Sequence, residues 1–164
     1  MALKTIVTGL ALAAGLALAP AAAPAADNAP GPASPGGKAL TARQAHFKEQ
    51  NAAFRAVGED LRKDPPDKAA LAADATRLKA MAEALPSWFP KGSGPETGLK
   101  TGAKAEIWTD AEGFAAAATN FQGEAAKLEQ AATAGDLDAA KAQVRATGAA
   151  CKACHDKYRA SDAR

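Results

Sequence analysis

Apolar residues recur at intervals of seven along four stretches of this chain, and this spacing strongly constrains its fold. The four sets are Leu40, Phe47, Phe54 and Leu61; Leu71, Leu78 and Leu85; Ile107, Phe114, Phe121 and Leu128; and Leu137, Val144, Cys151 and Tyr158. A heptad repeat keeps one face of a helix turned toward a neighbouring helix. No convincing strand pattern occurs beyond residue 38. The chain is therefore predicted to be all-α, an antiparallel four-helix bundle.

Local signals mark the ends of these helices. Thr41 is a candidate N-cap for the first helix and Asp136 for the fourth. Residues 64–67, Asp-Pro-Pro-Asp, are predicted to end the first helix and begin the second. Residues 86–102 are rich in proline and glycine and form a longer loop than a compact bundle usually contains. This length indicates a crossover connection or a role beside a cofactor.

The N-terminal residues have the composition of an export signal followed by a linker. Lys4 is the only charged residue before Asp27, residues 6–18 are apolar, and Ala23-Pro24-Ala25 suits a small-residue cleavage site. We expect a signal peptide at residues 1–25, a flexible leader at 26–37 and a single bundle domain at 38–164. Since the apolar run is short for a bilayer span, a periplasmic protein without a membrane partner is predicted.

Charge gives no indication of a nucleic-acid partner. The chain contains 20 Lys and Arg residues against 18 Asp and Glu residues, and the basic residues are dispersed rather than clustered. Proteins that bind nucleic acid usually carry a basic patch or stripe. Neither DNA nor RNA is therefore predicted to bind.

The sequence Cys151-Lys152-Ala153-Cys154-His155 near the C-terminus has the C-x-x-C-H pattern of covalent haem c attachment. Helix positions i and i+3 share a face, so both sulfurs can reach one edge of a porphyrin. The pattern predicts one haem c, bonded as thioethers to Cys151 and Cys154, with His155 as iron ligand. Export agrees with this prediction, because the exported cysteines would otherwise oxidise to a disulfide.

Three other interpretations of the two cysteines stay open. A redox dithiol normally follows a strand in a βαβ pattern, which this chain lacks. Zinc is a second alternative, with His46 as the fourth ligand, although zinc ligands usually come in two spaced pairs and His46 has no partner. A plain structural disulfide is the third.

Two segments resemble the cytochrome c′ family. Residues 147–159, Thr-Gly-Ala-Ala-Cys-Lys-Ala-Cys-His-Asp-Lys-Tyr-Arg, are similar to that family's haem-binding helix, and residues 42–48, Ala-Arg-Gln-Ala-His-Phe-Lys, to its first helix. The resemblance covers roughly residues 38–162. It implies a four-helix bundle that often dimerises through its first two helices. It also implies five-coordinate, high-spin iron with His155 as the only axial ligand from the protein.

The resemblance also implies which residue faces the iron from the opposite side. Low-spin relatives have a methionine ligand on the first helix at the position of Phe47. Phenylalanine has no lone pair, so Phe47 can only occupy space. His46 points about 100° away around the same helix, and the apolar spacing selects Phe47 as the inward residue.

Three further residues are assigned to the site by the same resemblance. Arg159 is implied to lie beside the proximal haem face, and Arg43 and Gln44 near the haem edge, where Arg43 could pair with a propionate. Arg159 is equally well explained as a last-turn residue that complements the helix dipole. Solvated positions are the alternative for Arg43 and Gln44.

These predictions favour a periplasmic haem protein that binds small diatomic gases, nitric oxide and carbon monoxide, and that buffers or carries nitric oxide. An electron-transfer cytochrome with redox partner proteins is the alternative. A peroxidase would need a distal base and a cationic group over the iron, and Phe47 supplies neither, so no enzyme is predicted. A homodimer is expected from the resemblance.

Overall fold

The computed structural model describes residues 31–161; the expected signal peptide, leader residues 26–30 and residues 162–164 lie outside this range. The helices are α1 (Pro35–Asp60), α2 (Lys68–Ala84), α3 (Glu106–Thr109), α4 (Ala111–Thr133) and α5 (Leu137–Tyr158). Two short 3-10 helices occupy the long loop at Leu85–Trp88 and Pro95–Thr97. Between residues 31 and 161 there is no strand beyond one isolated bridge, so the all-α prediction is confirmed.

Side-chain caps explain where the long helices begin. Asp67 accepts a hydrogen bond from the Ala70 amide, and Asp136 accepts one from the Ala139 amide, as expected for the fourth long helix. The predicted cap at Thr41 is wrong. Ser34 caps α1 by accepting from the Gly37 amide, and Pro35 occupies the first helical position, where no N–H is needed. Residues 35–37, assigned above to the leader, are therefore the first turn of α1.

The four long helices form the predicted bundle. Helix α1 packs on α2, α2 on α4 and α4 on α5. Leu71 and Leu78 of α2 and Phe121 and Leu128 of α4 are buried between them, as the seven-residue spacing predicted. Each side chain buried in this way contributes about 1.5–3 kcal/mol from removal of apolar area from water.

The third and fourth heptad sets differ from the prediction in detail. Ile107 lies in the separate turn α3, and Asp110 then caps α4. In α5 the buried residues are Ala140, Thr147, Ala150 and Tyr158. Tyr158 is therefore buried as predicted, but Leu137, Val144 and Cys151 of the same set are only half-buried. Small side chains line the α4 contact, which leaves the cysteine face turned toward the gap beside α1.

One side of the bundle is open. Within residues 31–161, α5 and α1 do not pack closely, although they complete the circle of four helices. The loop at residues 85–105 covers one end of the gap between them. No helix in this part of the chain combines the length and the apolar character that a membrane span requires.

Candidate cofactor site

A cavity of about 590 Å³ occupies the gap between α1 and α5. Its size falls within the range of about 300–1,000 Å³ that is typical of cofactor sites. It is lined by every residue predicted for the site: Arg43, Gln44, Phe47, Cys151, Cys154, His155 and Arg159. The sequence prediction therefore selected residues from both ends of the chain that the fold brings to one place.

The cavity has an apolar wall and a polar rim. Leu78, Leu85, Ile107, Phe114 and Phe121 line it and are buried. The lining residues that are exposed at its edge are polar: Gln44, Lys48, Asn51, His155 and Arg159. A flat apolar group that carries charged substituents at one edge would match this distribution.

Cys151 and Cys154 lie in the last two turns of α5, half-buried and not joined by a disulfide. Burial raises the pKa of Cys151 to about 11, and the neighbouring Cys154 adds to the effect. Burial also raises the pKa of Cys154. Both side chains are therefore protonated thiols at neutral pH.

His155 follows the second cysteine and lines the same cavity. Partial burial lowers its pKa, the positive charge of Arg159 lowers it further, and Asp156 opposes the shift. At neutral pH the imidazole is therefore uncharged, which is the form with a lone pair available for a metal ion.

Phe47 faces the cavity from α1. Its ring packs edge-to-face against Trp88 at 5.3 Å and against Phe89 at 6.0 Å between ring centroids. His46 instead stacks on Trp88, with ring centroids 4.9 Å apart, and is not part of the cavity lining. The structure therefore does not bring His46 to the two cysteines, as the zinc interpretation would require.

Arg43 is buried, which contradicts the solvated alternative. One guanidinium nitrogen donates to the Trp88 carbonyl at 3.1 Å and to Ser93 Oγ at 2.9 Å, and the other donates to the Ser93 carbonyl at 2.7 Å. Burial lowers the Arg43 pKa, and Glu96 partly opposes this. Among residues 31–161 no carboxylate lies within ion-pair distance of this guanidinium, so it suits an anionic group from outside the chain.

Gln44 and Arg159 lie on the rim. The Gln44 side chain is exposed and donates to the Lys100 carbonyl at 3.1 Å. Arg159 is the C-cap residue that follows α5, and its backbone is extended. Its amide donates a hydrogen bond to the His155 carbonyl at 3.0 Å. A backbone bridge to Ala103 fixes this residue at the cavity edge.

Gln50 and Phe54 are among the lining residues that were not assigned to the site from the sequence. Gln50 is buried, and its side-chain oxygen has no hydrogen-bond donor among the described residues. Phe54 faces Gly148, where an added Cβ would meet only the Phe54 ring, at 3.6 Å. Gln50 and Phe54 follow Phe47 by three and seven positions, so the helical spacing from Phe47 could have identified both.

The lining fits a haem. Two thiols three residues apart and an adjacent neutral imidazole provide the attachment chemistry on α5. The apolar wall suits the macrocycle, and Arg43, Lys48 and Arg159 supply positive charge for its two carboxylates.

Comparison with known proteins identifies close relatives. A protein-family model described as Cytochrome C' matches residues 38–159. Cytochrome c' of Alcaligenes xylosoxydans xylosoxydans is 40% identical over 121 residues, which are 74% of this chain and 87% of that protein. Cytochrome c' of Rubrivivax gelatinosus is 37% identical over 123 residues, which are 75% of this chain and 95% of that protein.

Solved structures show the same similarity. The cytochrome c' structure from Rubrivivax gelatinosus superimposes with a TM-score of 0.69 at 34% identity, covering 76% of this chain and 96% of that one. A nitric oxide complex of a cytochrome c prime variant from Alcaligenes xylosoxidans gives a TM-score of 0.69 at 32% identity, covering 77% and 97%. A carbon monoxide complex of another variant of that protein gives 0.68, with the same identity and coverage.

Proposed function

The chain belongs to the cytochrome c′ family, and from this premise we propose that it is a periplasmic c-type haem protein that binds nitric oxide and carbon monoxide and buffers or carries nitric oxide. The observation that carries the proposal is the cavity itself, which has Cys151, Cys154 and His155 on one wall and Phe47 on the other. Two solved complexes of a relative contain nitric oxide and carbon monoxide.

The residues of α5 hold the cofactor in this proposal. Cys151 and Cys154 would attach one haem c as thioethers, and His155 would be the one iron ligand that the protein supplies. Arg43 on α1 is buried and lines the cavity, so it would pair with a propionate of the bound haem. When bound, the haem would supply a five-coordinate, high-spin iron that can take up a small gas molecule.

The residues of α1 and the aromatic wall determine what reaches the iron. Phe47 offers neither a lone pair nor a hydrogen-bond donor, and Phe54, Phe89 and Phe114 continue the apolar surface. Such walls admit small uncharged molecules and disfavour anions, because an anion would lose its water without gaining a partner. Bound dioxygen depends on a distal hydrogen bond more than nitric oxide or carbon monoxide does, so the pocket favours the latter two.

Absorption spectroscopy of the periplasmically expressed protein tests the proposal. We expect covalent haem, high-spin five-coordinate spectra in both oxidation states and a change on addition of carbon monoxide to the ferrous form. Phe47→Met places a thioether in the cavity and should convert the iron to six-coordinate, low-spin. The matched control is Phe47→Leu, because leucine has about the volume of methionine but no atom that can bind iron. The iron should stay five-coordinate in this variant. Low-spin, six-coordinate spectra of the wild-type protein in both states would contradict the proposal.

The exposed end of the site favours a second function, electron transfer. Gln44, Lys48 and Arg159 are exposed on the rim of the cavity, so one edge of a bound haem would lie near the surface, accessible to a redox partner protein. Stopped-flow mixing with a small-protein reductant distinguishes the two functions. Electron exchange much faster than gas binding would favour the electron-transfer function.

The homodimer expected from the family is a separate part of the proposal. Sedimentation velocity of the same preparation tests it.

A further inference from the structure

One carboxylate joins the start of α4 to the end of α5. Asp110 Oδ2 accepts hydrogen bonds from the Tyr158 hydroxyl at 2.8 Å and from Lys157 Nζ at 2.6 Å. Its other oxygen, Oδ1, accepts from the Gly113 amide at 3.2 Å and so caps α4. The carboxylate therefore lies at the N-terminal end of α4, the helix that packs along both α2 and α5.

The end of α5 is the segment of the site that most needs such support. The last four carbonyls of a helix have no intrahelical donors, and helix ends open more readily than helix centres. His155 is three residues from the last residue of α5. Two backbone hydrogen bonds also hold this end, from the Lys104 amide to the Tyr158 carbonyl at 3.0 Å and from the Ala160 amide to the Gly102 carbonyl at 2.9 Å.

The hydrogen-bonded side chains of Asp110 and Tyr158 pack directly against the backbone of Gly113, a residue without a side chain. A Cβ atom added to Gly113 would come within 2.6 Å of the Tyr158 hydroxyl and 2.4 Å of Asp110 Oδ2. Real Cβ atoms do not make such contacts, so a side chain at this position would push the pair apart. Tyr158 itself is buried, lines the candidate site and packs edge-to-face on Phe114 with ring centroids 5.4 Å apart.

We propose that Asp110 is a positioning residue for the iron ligand: by binding Tyr158 and Lys157 it fixes the last turn of α5, and with it the orientation of the His155 imidazole. The inference rests on the proposed function, since it takes His155 as the ligand. Asp110 lies outside the cavity lining, so it would act on the cofactor through the last turn of α5, which includes the lining residue Tyr158.

Tyr158→Phe tests the proposal in the haem-loaded protein, because it removes the hydroxyl and keeps the ring. A matched control is Lys152→Gln, which breaks the exposed ion pair between Lys152 and Asp156 on the same two turns of α5. Hydrogen exchange of the α5 amides near His155 should accelerate at least about tenfold in Tyr158→Phe, the effect of losing one hydrogen bond to a charged group. The ferric electron paramagnetic resonance lines should broaden, because the imidazole samples more orientations. Lys152→Gln should change neither measurement.

Lys157→Gln is a second variant that leaves the buried Tyr158 intact. It should also accelerate hydrogen exchange and broaden the resonance lines, but less than Tyr158→Phe does. Faster exchange with an unchanged resonance spectrum would overturn the proposal, since Asp110 would then only stabilise the helix. An equal response to Lys152→Gln would overturn it as well. A six-coordinate wild-type iron would contradict the proposed gas binding instead, and the comparison of these variants with wild type would still decide the role of Asp110.

Discussion

Replacing Arg43 by methionine is expected to destabilise the protein by loosening the loop that closes one end of the site. Methionine fills the space of the arginine stem but donates no hydrogen bonds. The carbonyl oxygens of Trp88 and Ser93 would each lose a buried donor, at 3.1 and 2.7 Å respectively. Ser93 Oγ keeps its own hydrogen bond to the Pro90 carbonyl, so only two acceptors are orphaned.

An unsatisfied buried acceptor costs about 1–3 kcal/mol, which gives about 2–6 kcal/mol for two. Removing a buried cation returns part of this cost, so we expect the free energy of unfolding to fall by about 2–4 kcal/mol. Urea titration of the haem-loaded protein, followed by far-ultraviolet circular dichroism, measures the loss as a lower midpoint at unchanged slope.

Gln44→Ala is the matched control, because Gln44 is the next residue and donates one exposed hydrogen bond to the same connecting segment, at the Lys100 carbonyl. It should change the free energy of unfolding by no more than about 0.5 kcal/mol. Equal urea midpoints for Arg43→Met and Gln44→Ala would refute the reasoning. The buried hydrogen bonds of Arg43 would then contribute no more to stability than the exposed hydrogen bond of Gln44.

Three further predictions concern the cavity, the core and one carboxyl group. Gly148→Ala should load haem normally, because the added Cβ meets only the Phe54 ring at 3.6 Å, whereas Gly148→Leu should fold and lose most haem, as measured by the ratio of haem to protein absorbance. Leu78→Ala should lower the free energy of unfolding by about 2–5 kcal/mol in urea titration, because Leu78 is 1% exposed. Burial, and then the charge of Asp60, raise the pKa of Asp74, so ionised Asp74 destabilises the fold. Asp74→Asn should therefore stabilise the protein at pH 7, and this gain should disappear as the pH falls below the ordinary aspartate pKa; a gain that grows toward acid pH would show the sign to be wrong.

The parts of the fold that the sequence predicted are those where large side chains alternate with small ones. In α2 and α4 the leucines and phenylalanines distinguish one helix face from the other, and their burial follows the seven-residue spacing. Helix α5 is alanine-rich on several faces, so its spacing could not tell the α4 contact at Thr147 and Ala150 from the adjacent cysteine face. The start of α1 was missed because Ser34 and Pro35 match the composition of a loop as well as that of a helix start.

The candidate site also has a part that the sequence predicted and a part that it did not. The attachment motif on α5 is local, and its chemistry can be read from five consecutive residues. The partners of Arg43 lie 45 and 50 positions further along the chain, in a loop without periodicity, so no sequence pattern indicated them. The contact between Asp110 and Tyr158 spans 48 positions and was missed for the same reason.

The gap between α1 and α5 lies between the two long helices that are furthest apart in the chain. Contacts between such distant segments form late, because the intervening loop must first be closed. Thioether bonds at Cys151 and Cys154 would fasten the cofactor to α5 alone, so its apolar contact with Phe47 and Phe54 is what would draw α1 inward. The cofactor then serves as the fourth interface of the bundle, and the holoprotein should unfold as one cooperative unit in which the first and last helices separate only when the cofactor is exposed to water.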